Sequence, residues 1–515
     1  MLGAGSASAQ VTAFKQAVAE AASRDSDIAA FYRGTGFAPI WTGTDADDQA
    51  RRKALMAALE TASLHGLPEA RYDRAGLMQR MRTARTTRDL GFLEVEISAV
   101  FLQYARDIQT GVVVPSRIDA DIVRQVPYRD RKSTLLTLAR HDDPGAFVAG
   151  LVPATREYRA LLKQKLQMQH LLASGGWGPK VRANSLKPGA EGAEVVALRN
   201  RLIAMGYMPR NAKAVYDADM EKAVQVFQTR HGLEPDGVAG ESTIREINVE
   251  PQARLRAIIV ALERERWLNR DRGDRHILVN LADFHARIID HGHETFRTRS
   301  VIGKNVASQR SPEFSDVMEH MVVNPSWFVP RSIATKEYLP ALQRNPNAVR
   351  HLVITDARGR VVNRGAVDFT RYSTRNFPFD MRQPPSKSNA LGLVKFMFPN
   401  KYNIYLHDTP AKNLFSRETR AYSHGCIRLA DPFDFAYALL ARQEADPEGY
   451  FQRVLKSGVE TKVELQRPVP VHLIYRTAIT DEKGRIEYRR DVYGRDAKIW
   501  QALSDAGVVL GDVQG

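Results

Sequence analysis

A single cysteine, Cys426, in a chain of 515 residues rules out any intramolecular disulfide. Each domain must therefore be held by a packed apolar core and not by covalent staples. Hydrophobic residues make up 43% of the chain, enough to fill such cores, and a chain of this length divides into several domains because single cores stop growing at about 250–300 residues. A lone thiol is ordinarily a small buried hydrophobe. What surrounds it decides whether it does more.

Charge limits the partners. Lys and Arg number 74 against 59 Asp and Glu, a net +15, which favours an anionic partner. The basic residues are spread, as in Arg51-Arg52-Lys53 and Arg129-Asp130-Arg131-Lys132. No zinc-finger spacing or aromatic RNA-binding signature accompanies them, so no nucleic acid is expected. No apolar run of about 18 residues occurs, so no membrane span is expected. Ala7-Ser8-Ala9 before Gln10 has the small-x-small form of a signal-peptidase site, and residues 1–9 read as the remnant of an export signal or as disordered.

Periodicity organises the remainder as a multi-domain α+β chain. Residues 10–180 form a helical region: Ala13–Ala22, Lys53–Ala62, Leu90–Ile108 and Thr134–Arg140 lack internal Pro and carry apolar residues at i+3 and i+4 steps. Within residues 186–248, Val195, Leu198, Leu202 and Met205 share a helix face closed by Gly206, Met220, Ala223, Val224 and Phe227 share another, and a last helix starts near Glu241. Residues 253–515 are strand-rich. His276–Leu281, Ala286–Asp290 and Phe296–Gly303 read as strands, with His291-Gly292 as a hairpin turn and not a metal site. Residues 331–388, broken by Pro and polar residues, interrupt them as a capping insertion, and the strand-like stretch after Val469 with its following helix completes the same domain.

Within that domain the thiol has chemical company. Lys401–His407 alternates as a strand, with Tyr405 and His407 on one face, and Asp408-Thr409-Pro410 ends it. Cys426 lies in Ser423-His424-Gly425-Cys426-Ile427-Arg428, where glycine permits a sharp turn. A soft nucleophile, an imidazole base and a turn with unpaired N–H groups are what acyl transfer through a thiolate requires.

These runs, together with Asn389-Ala390-Leu391-Gly392 and Asn324-Pro325-Ser326-Trp327-Phe328-Val329-Pro330, resemble the large multi-domain branch of the L,D-transpeptidases, whose catalytic domain is of the YkuD type. Residues 186–248 resemble a three-helix peptidoglycan-binding module. The resemblance implies a mostly β-sandwich catalytic domain, peptidoglycan stem peptides as substrate, no cofactor and no metal. It also implies a Gram-negative periplasmic setting. The helical region reads as a scaffold or as a face for other cell-wall enzymes or envelope proteins.

The resemblance assigns roles to residues. Cys426 is the nucleophile, His407 the base oriented by Asp408 through its carbonyl, and the N–H groups of Gly425 and Cys426 the oxyanion donors. His424 shares base duty, shapes the oxyanion site or packs. Arg428 and Arg420 hold substrate carboxylates or fix the loop by salt bridges. Ser423, Tyr405, Asp408 and Trp327 are the further substrate contacts, Trp327 with a core role as its alternative. Ser311-Pro312 stands where the family carries Thr-Pro, a change expected to lie away from the chemistry. The activity implied is a direct diaminopimelate–diaminopimelate cross-link made through a Cys426 thioester with release of the terminal D-Ala; transfer of the same acyl group to water or to a protein lysine is the alternative. A wall-binding scaffold without activity is the reading of another class.

Overall fold

The computed structural model describes residues 4–511, with side chains from residue 13 onward. It forms two compact units, Met1–Asp271 with Arg476–Gly515, and Arg272–Tyr475.

The first unit begins with helices. They cover Ala4–Ala22, Ala46–Glu60, Thr87–Thr110 and Arg131–Arg140, the stretches whose periodicity predicts them. Ala4–Ala9, expected as a leader remnant or as disordered, lie in the first of these helices, and residues 1–3 lie outside the described residues. Thr86 and Asp89 make a capping box at the start of Thr87–Thr110, which buries Leu93, Ile97, Phe101 and Ile108 on one face. Glu94 on the same helix accepts hydrogen bonds from the Ile40, Trp41 and Thr42 amides and from the Tyr32 hydroxyl, which ties down the segment that precedes it.

Residues 186–248 fold as expected for their pattern. Helices Ala193–Ala204, Ala218–Arg230 and Glu241–Ile247 pack Val195, Leu198, Leu202, Met220, Val224 and Phe227 into one core. Gly206, at φ +77°, ends the first helix, with Tyr207 N–H donating to the Leu202 carbonyl, a Schellman closure.

The carboxyl end departs from expectation. Residues 476–511 belong with this helical unit and do not complete the catalytic domain; the helix Pro251–Trp267 belongs here too. The reason is burial. Ala478, Tyr488, Ile499, Leu503 and Val508 enter the core of the helical region, Arg264 pairs with Asp496 at 3.0 Å, and Thr480 N–H donates to Glu157 at 2.9 Å.

The second unit is built on strands. They are β1 (Arg275–Asn280), β2 (His285–Asp290), β3 (His293–Gly303), β4 (Ser315–Val323), β5 (Trp327–Phe328), β6 (Val353–Thr355), β7 (Asp380–Gln383), β8 (Val394–Met397), β9 (Leu406–His407), β10 (Ala421–Ser423), β11 (Ile427–Leu429) and β12 (Thr461–Ile474). His291 and Gly292 take φ of +49° and +82° between β2 and β3, the left-handed turn that matches strand twist. The main sheet has nine strands in the order β10-β3-β11-β9-β8-β4-β12-β1-β2, and β3 pairs with β2 as well. The expected sandwich is therefore a ladder that closes on itself, because β3 is long enough to hold β2 along its first half and β10 and β11 at its end.

The insertion has its own core. A smaller sheet, β5-β7-β6, packs with the segments around Ile333, Leu339 and Leu342 over Leu352, Phe369, Phe377 and Met381. It begins at β5, before the expected boundary at 331, since Trp327 and Phe328 pair with Gln383 and Arg382. A π-helical turn, Ala334–Tyr338, lies within it.

Candidate active site

Cys426 sits between β10 and β11, on the turn that the glycine makes possible. Gly425 has φ +119°, and a Cβ there would approach Ile404 Cδ1 at 3.1 Å. The turn is pinned from both sides. The Ser423 hydroxyl donates to the Cys426 carbonyl at 2.5 Å and accepts from Gly425 N–H at 3.1 Å. The Ser311 hydroxyl donates to the Gly425 carbonyl at 2.6 Å and accepts from Gly303 N–H at 3.0 Å.

Two expectations change here. Gly425 N–H is occupied by Ser423, so it is not a free oxyanion donor in this arrangement, and Ser423, only 2% exposed, clamps the turn and does not face a ligand. Ser311, expected to lie away from the chemistry, braces the nucleophile turn. Its hydroxyl is the group a Thr at this position would also supply.

His407 ends β9. The parallel register of β9 and β11 sets His407 against Arg428 and Leu406 against Ile427, so the imidazole and the turn that carries the thiol lie on neighbouring strands. His407 is buried, and its Nδ1 is hydrogen-bonded to the Asp408 carbonyl at 2.5 Å. That bond assigns the proton to Nδ1 and leaves Nε2 as the basic nitrogen. Burial, with the Arg428 guanidinium beside it, holds the imidazole down to about 3, although the carbonyls of Asp408 and Leu391 favour its charged form. The Asp408 carboxylate, expected among substrate contacts, is taken up internally: it accepts from Leu393 N–H at 2.9 Å and from Lys412 Nζ at 2.7 Å.

The thiol has neighbours of its own. Cys426 is partly accessible, and its Sγ–H donates to the Asn403 carbonyl at 3.4 Å. Burial pushes the thiol up to about 11, against the Tyr405 amide, the Tyr405 hydroxyl and the Arg428 guanidinium, each of which favours the thiolate. Tyr405 meets the His407 ring edge to face at 5.6 Å and so shares its side of the site. The Arg428 Nε is buried with no hydrogen-bond partner among the described residues, and Cys426 is the neighbour that supports its charge.

The approach to the site differs from the predicted strand. Only Leu406–His407 pair in the sheet, and Lys401–Tyr405 form a loop. Asn400 causes the change: its side chain donates to the Phe398 and Ile404 carbonyls and accepts from the Tyr402 and Ile404 amides, capturing groups a ladder would use. Asn403, at φ +54°, then turns its carbonyl toward the thiol.

Other sequence candidates fall elsewhere. Arg420 spends its guanidinium on the carbonyls of Ser300, Arg417 and Phe284, so it fixes the loop and is not open to a substrate carboxylate. Trp327 lies in the capping core, edge to face with Tyr338 at 6.3 Å, its core alternative. His424 faces the capping subdomain, where its Nε2 meets Glu337 Oε1 at 2.5 Å. Glu337 was invisible to sequence reasoning, because its partner lies 87 positions away.

Three segments of the chain match known domain families: residues 274–465 the L,D-transpeptidase catalytic domain, residues 191–247 the "Putative peptidoglycan binding domain", and residues 26–165 a scaffold domain. The "Putative L,D-transpeptidase" of Haemophilus influenzae (strain ATCC 51907 / DSM 11121 / KW20 / Rd) is 33% identical over 225 residues, which are 43% of this chain and 45% of that protein. The match thus spans under half the length of that relative. Among solved structures, the L,D-transpeptidase (residues 123–326) from Xylanimonas cellulosilytica DSM 15894 is 16% identical at a TM-score of 0.17, over 57% of this chain and 98% of that one. A fused Zn-dependent amidase/peptidase/peptidoglycan-binding domain-containing protein from Clostridium acetobutylicum ATCC 824 is 12% identical at 0.16, over 56% and 98%. At such TM-scores neither structure bears on the geometry above.

Proposed function

We propose that this chain, which carries an L,D-transpeptidase catalytic domain over residues 274–465, forms direct cross-links between diaminopimelate residues of peptidoglycan through a thioester on Cys426. The observation that carries the reading is the convergence on one turn of a thiol, a neutral imidazole fixed by a carbonyl, and a guanidinium with an unpaired Nε.

In the first half-reaction His407 Nε2 takes the thiol proton as the sulfur attacks the carbonyl that joins diaminopimelate to the terminal D-Ala. The C–S bond forms, the C–N bond breaks, and the D-Ala amine leaves with the proton from His407. Arg428 holds the D-Ala carboxylate. To the developing oxyanion we assign the Cys426 N–H and the Tyr405 hydroxyl, the latter a hydrogen-bonding neighbour of the thiol. In the second half-reaction an amine of another stem attacks the thioester and gives a proton to His407; the C–N bond forms, the C–S bond breaks, and His407 returns the proton to the leaving sulfur, restoring the thiol. No cofactor or metal enters these steps. A peptidoglycan-binding segment at 191–247 supports an extracytoplasmic site of action, which we place in a Gram-negative periplasm. Among the described residues no helix is long and apolar enough to cross a membrane.

The test is product analysis by mass spectrometry after incubation with tetrapeptide muropeptides. Wild type is expected to yield cross-linked dimer and free D-Ala, and Cys426→Ala neither. Tripeptide monomer alone would replace the amine acceptor by water, attachment to a protein lysine would replace it by that amine, and dimer from Cys426→Ala would overturn the nucleophile. A carbapenem is expected to add its mass to wild type and not to Cys426→Ala.

A further inference from the structure

One charged side chain beside the proposed base has no part in the steps above. Lys395 lies in a row that the sheet register lays across β4, β8, β9 and β11: Val322 stands opposite Lys395, Lys395 opposite His407, and His407 opposite Arg428. Residues directly opposite one another on paired strands share a face of the sheet. The neighbouring row fixes the other face, since Phe396, Leu406 and Ile427 stand opposite one another in the same way and are fully buried. Lys395 and Arg428 therefore flank His407 on its own face, with their backbones about 10 Å apart, two strand spacings.

The protein around Lys395 does not account for its charge. A half-buried ammonium ordinarily ends on a carboxylate or a carbonyl, and Lys395 makes neither an ion pair nor a hydrogen bond among the described residues. Acids at the ends of these strands and on β12 are engaged elsewhere: Glu460 accepts from Ser326 N–H at 3.0 Å, Asp408 holds Lys412 at 2.7 Å, and Glu464 holds Lys462 at 2.5 Å. Burial lowers the pKa of Lys395, and the more distant charge of Glu460 opposes that shift. The ammonium itself is not sealed off from solvent, so a solute reaches it. Its charge is also felt at the base, where burial, then Arg428, and also Lys395 oppose protonation of His407.

This position fits an anion on the acyl side of the bond that breaks. The base faces the scissile bond, and the D-Ala carboxylate is held toward Arg428 on one side of it. On the other side lies the acyl residue, diaminopimelate, whose side chain carries a carboxylate five carbons from the scissile carbonyl, long enough to cross one strand spacing of about 4.8 Å. A lysine, a point charge on a flexible stem, suits a carboxylate met at the end of such a chain. We propose that the Lys395 ammonium holds the side-chain carboxylate of diaminopimelate in the acyl donor, and so selects that residue over donors whose side chain ends without a negative charge. The inference rests on the acyl-transfer reading of this site.

The test uses full-length Cys426→Ala protein, which keeps the donor intact, titrated calorimetrically with disaccharide tetrapeptide. The peptide is supplied unmodified, amidated at the diaminopimelate side-chain carboxylate, or amidated at the α-carboxylate of D-Glu. Amidation at diaminopimelate is expected to weaken binding about tenfold or more, the loss of one charge-assisted hydrogen bond, and amidation at D-Glu to change it less than about twofold. Adding Lys395→Met should reproduce the loss with the unmodified peptide and cause none beyond it with the diaminopimelate amide, whereas Lys395→Arg, which keeps the charge, should restore most of the affinity. The melting temperature with Lys395→Met should match or exceed that without it, because the ammonium makes no bond in the free protein. Equal affinity for the unmodified and diaminopimelate-amidated peptides, a loss that follows D-Glu amidation instead, additive losses from amidation and Lys395→Met, or no binding of any form would each overturn the assignment. The comparison of the peptides needs no change at Lys395, so it decides the matter even where a variant folds poorly. Failure of the thioester reading appears separately, as D-Ala released by the Cys426→Ala protein.

Discussion

At Cys426 and His407 the protonation states are set by burial. An imidazole held down to about 3 is neutral at every pH above that, and a thiol pushed up to about 11 keeps its proton below it. The resting pair is therefore thiol and imidazole, and not a preformed thiolate and imidazolium; in the proposed mechanism the proton moves only when the acyl donor arrives. In the free enzyme the rate of Cys426 alkylation by iodoacetamide should climb with pH toward about 11, with no plateau between about pH 5 and 8 of the kind a preformed ion pair produces. Such a plateau would show that the thiolate exists before substrate binds. Folding follows the same sign. Because the folded pKa of His407 lies below its ordinary value, the unfolded chain binds more protons between about 6.5 and 3, so this residue withdraws stability as pH falls through that window. If Arg428 holds the substrate carboxylate as proposed, Arg428→Lys, which keeps the charge but loses the planar fork, should raise KM roughly tenfold with a smaller change in kcat, about 1.4 kcal/mol of binding. A fall in kcat alone would move Arg428 from holding the carboxylate to tuning the thiol.

The elements that carry the site divide into those written locally and those written by partners far along the chain. The hairpin at His291-Gly292 and the helices at Val195 and Met220 were legible because turn chemistry and a 3.6-residue period are local signals. The bond from His407 to the Asp408 carbonyl was legible from the resemblance. The loop at Lys401–Tyr405 was not, since its alternating pattern suits a strand and only the Asn400 side chain, bonding its own neighbours, overrides it. The closures made by Ser311 and Glu337 join residues 114 and 87 positions apart, and no period reports such a pair. Asn400→Ala tests what the loop does. Losing those bonds should cost about 1–3 kcal/mol of stability and slow carbapenem acylation of Cys426 about tenfold, because the Asn403 carbonyl and Tyr405 lose their support. A lower melting temperature with unchanged acylation would show that the loop packs the domain without positioning the thiol. Ser311→Ala should act more strongly on acylation, since it leaves both the Gly425 carbonyl and the Gly303 amide without this hydroxyl.

For the whole molecule, the order of the chain and the order of the units differ. The helix Pro251–Trp267 ends in Glu263, Arg264, Glu265 and Arg266, all buried, a run that composition alone would place on a solvated face. Their burial is possible because partners arrive from both directions: Arg266 pairs with Glu263 at 2.9 Å, and Asp496, Arg476 and Thr155 reach Arg264 and Glu265 from outside the helix. Sequence placed Asp496 and Arg476 in the catalytic domain because they follow it, whereas the catalytic unit is an insertion between two parts of the helical one. An inserted unit with its own sheet and core should unfold as its own transition. Leu503, fully buried in the helical core, separates the two: Leu503→Ala should cost about 2–5 kcal/mol and, at about 2–4 °C per kcal/mol, lower one calorimetric transition by roughly 4–20 °C. The transition tracked by exposure of Cys426 to a thiol reagent should stay in place, since that thiol reports on the unit Arg272–Tyr475. Were both to fall together, the units would share one cooperative core, and the carboxyl-terminal segment would stabilise the catalytic site as well as the helices it packs among.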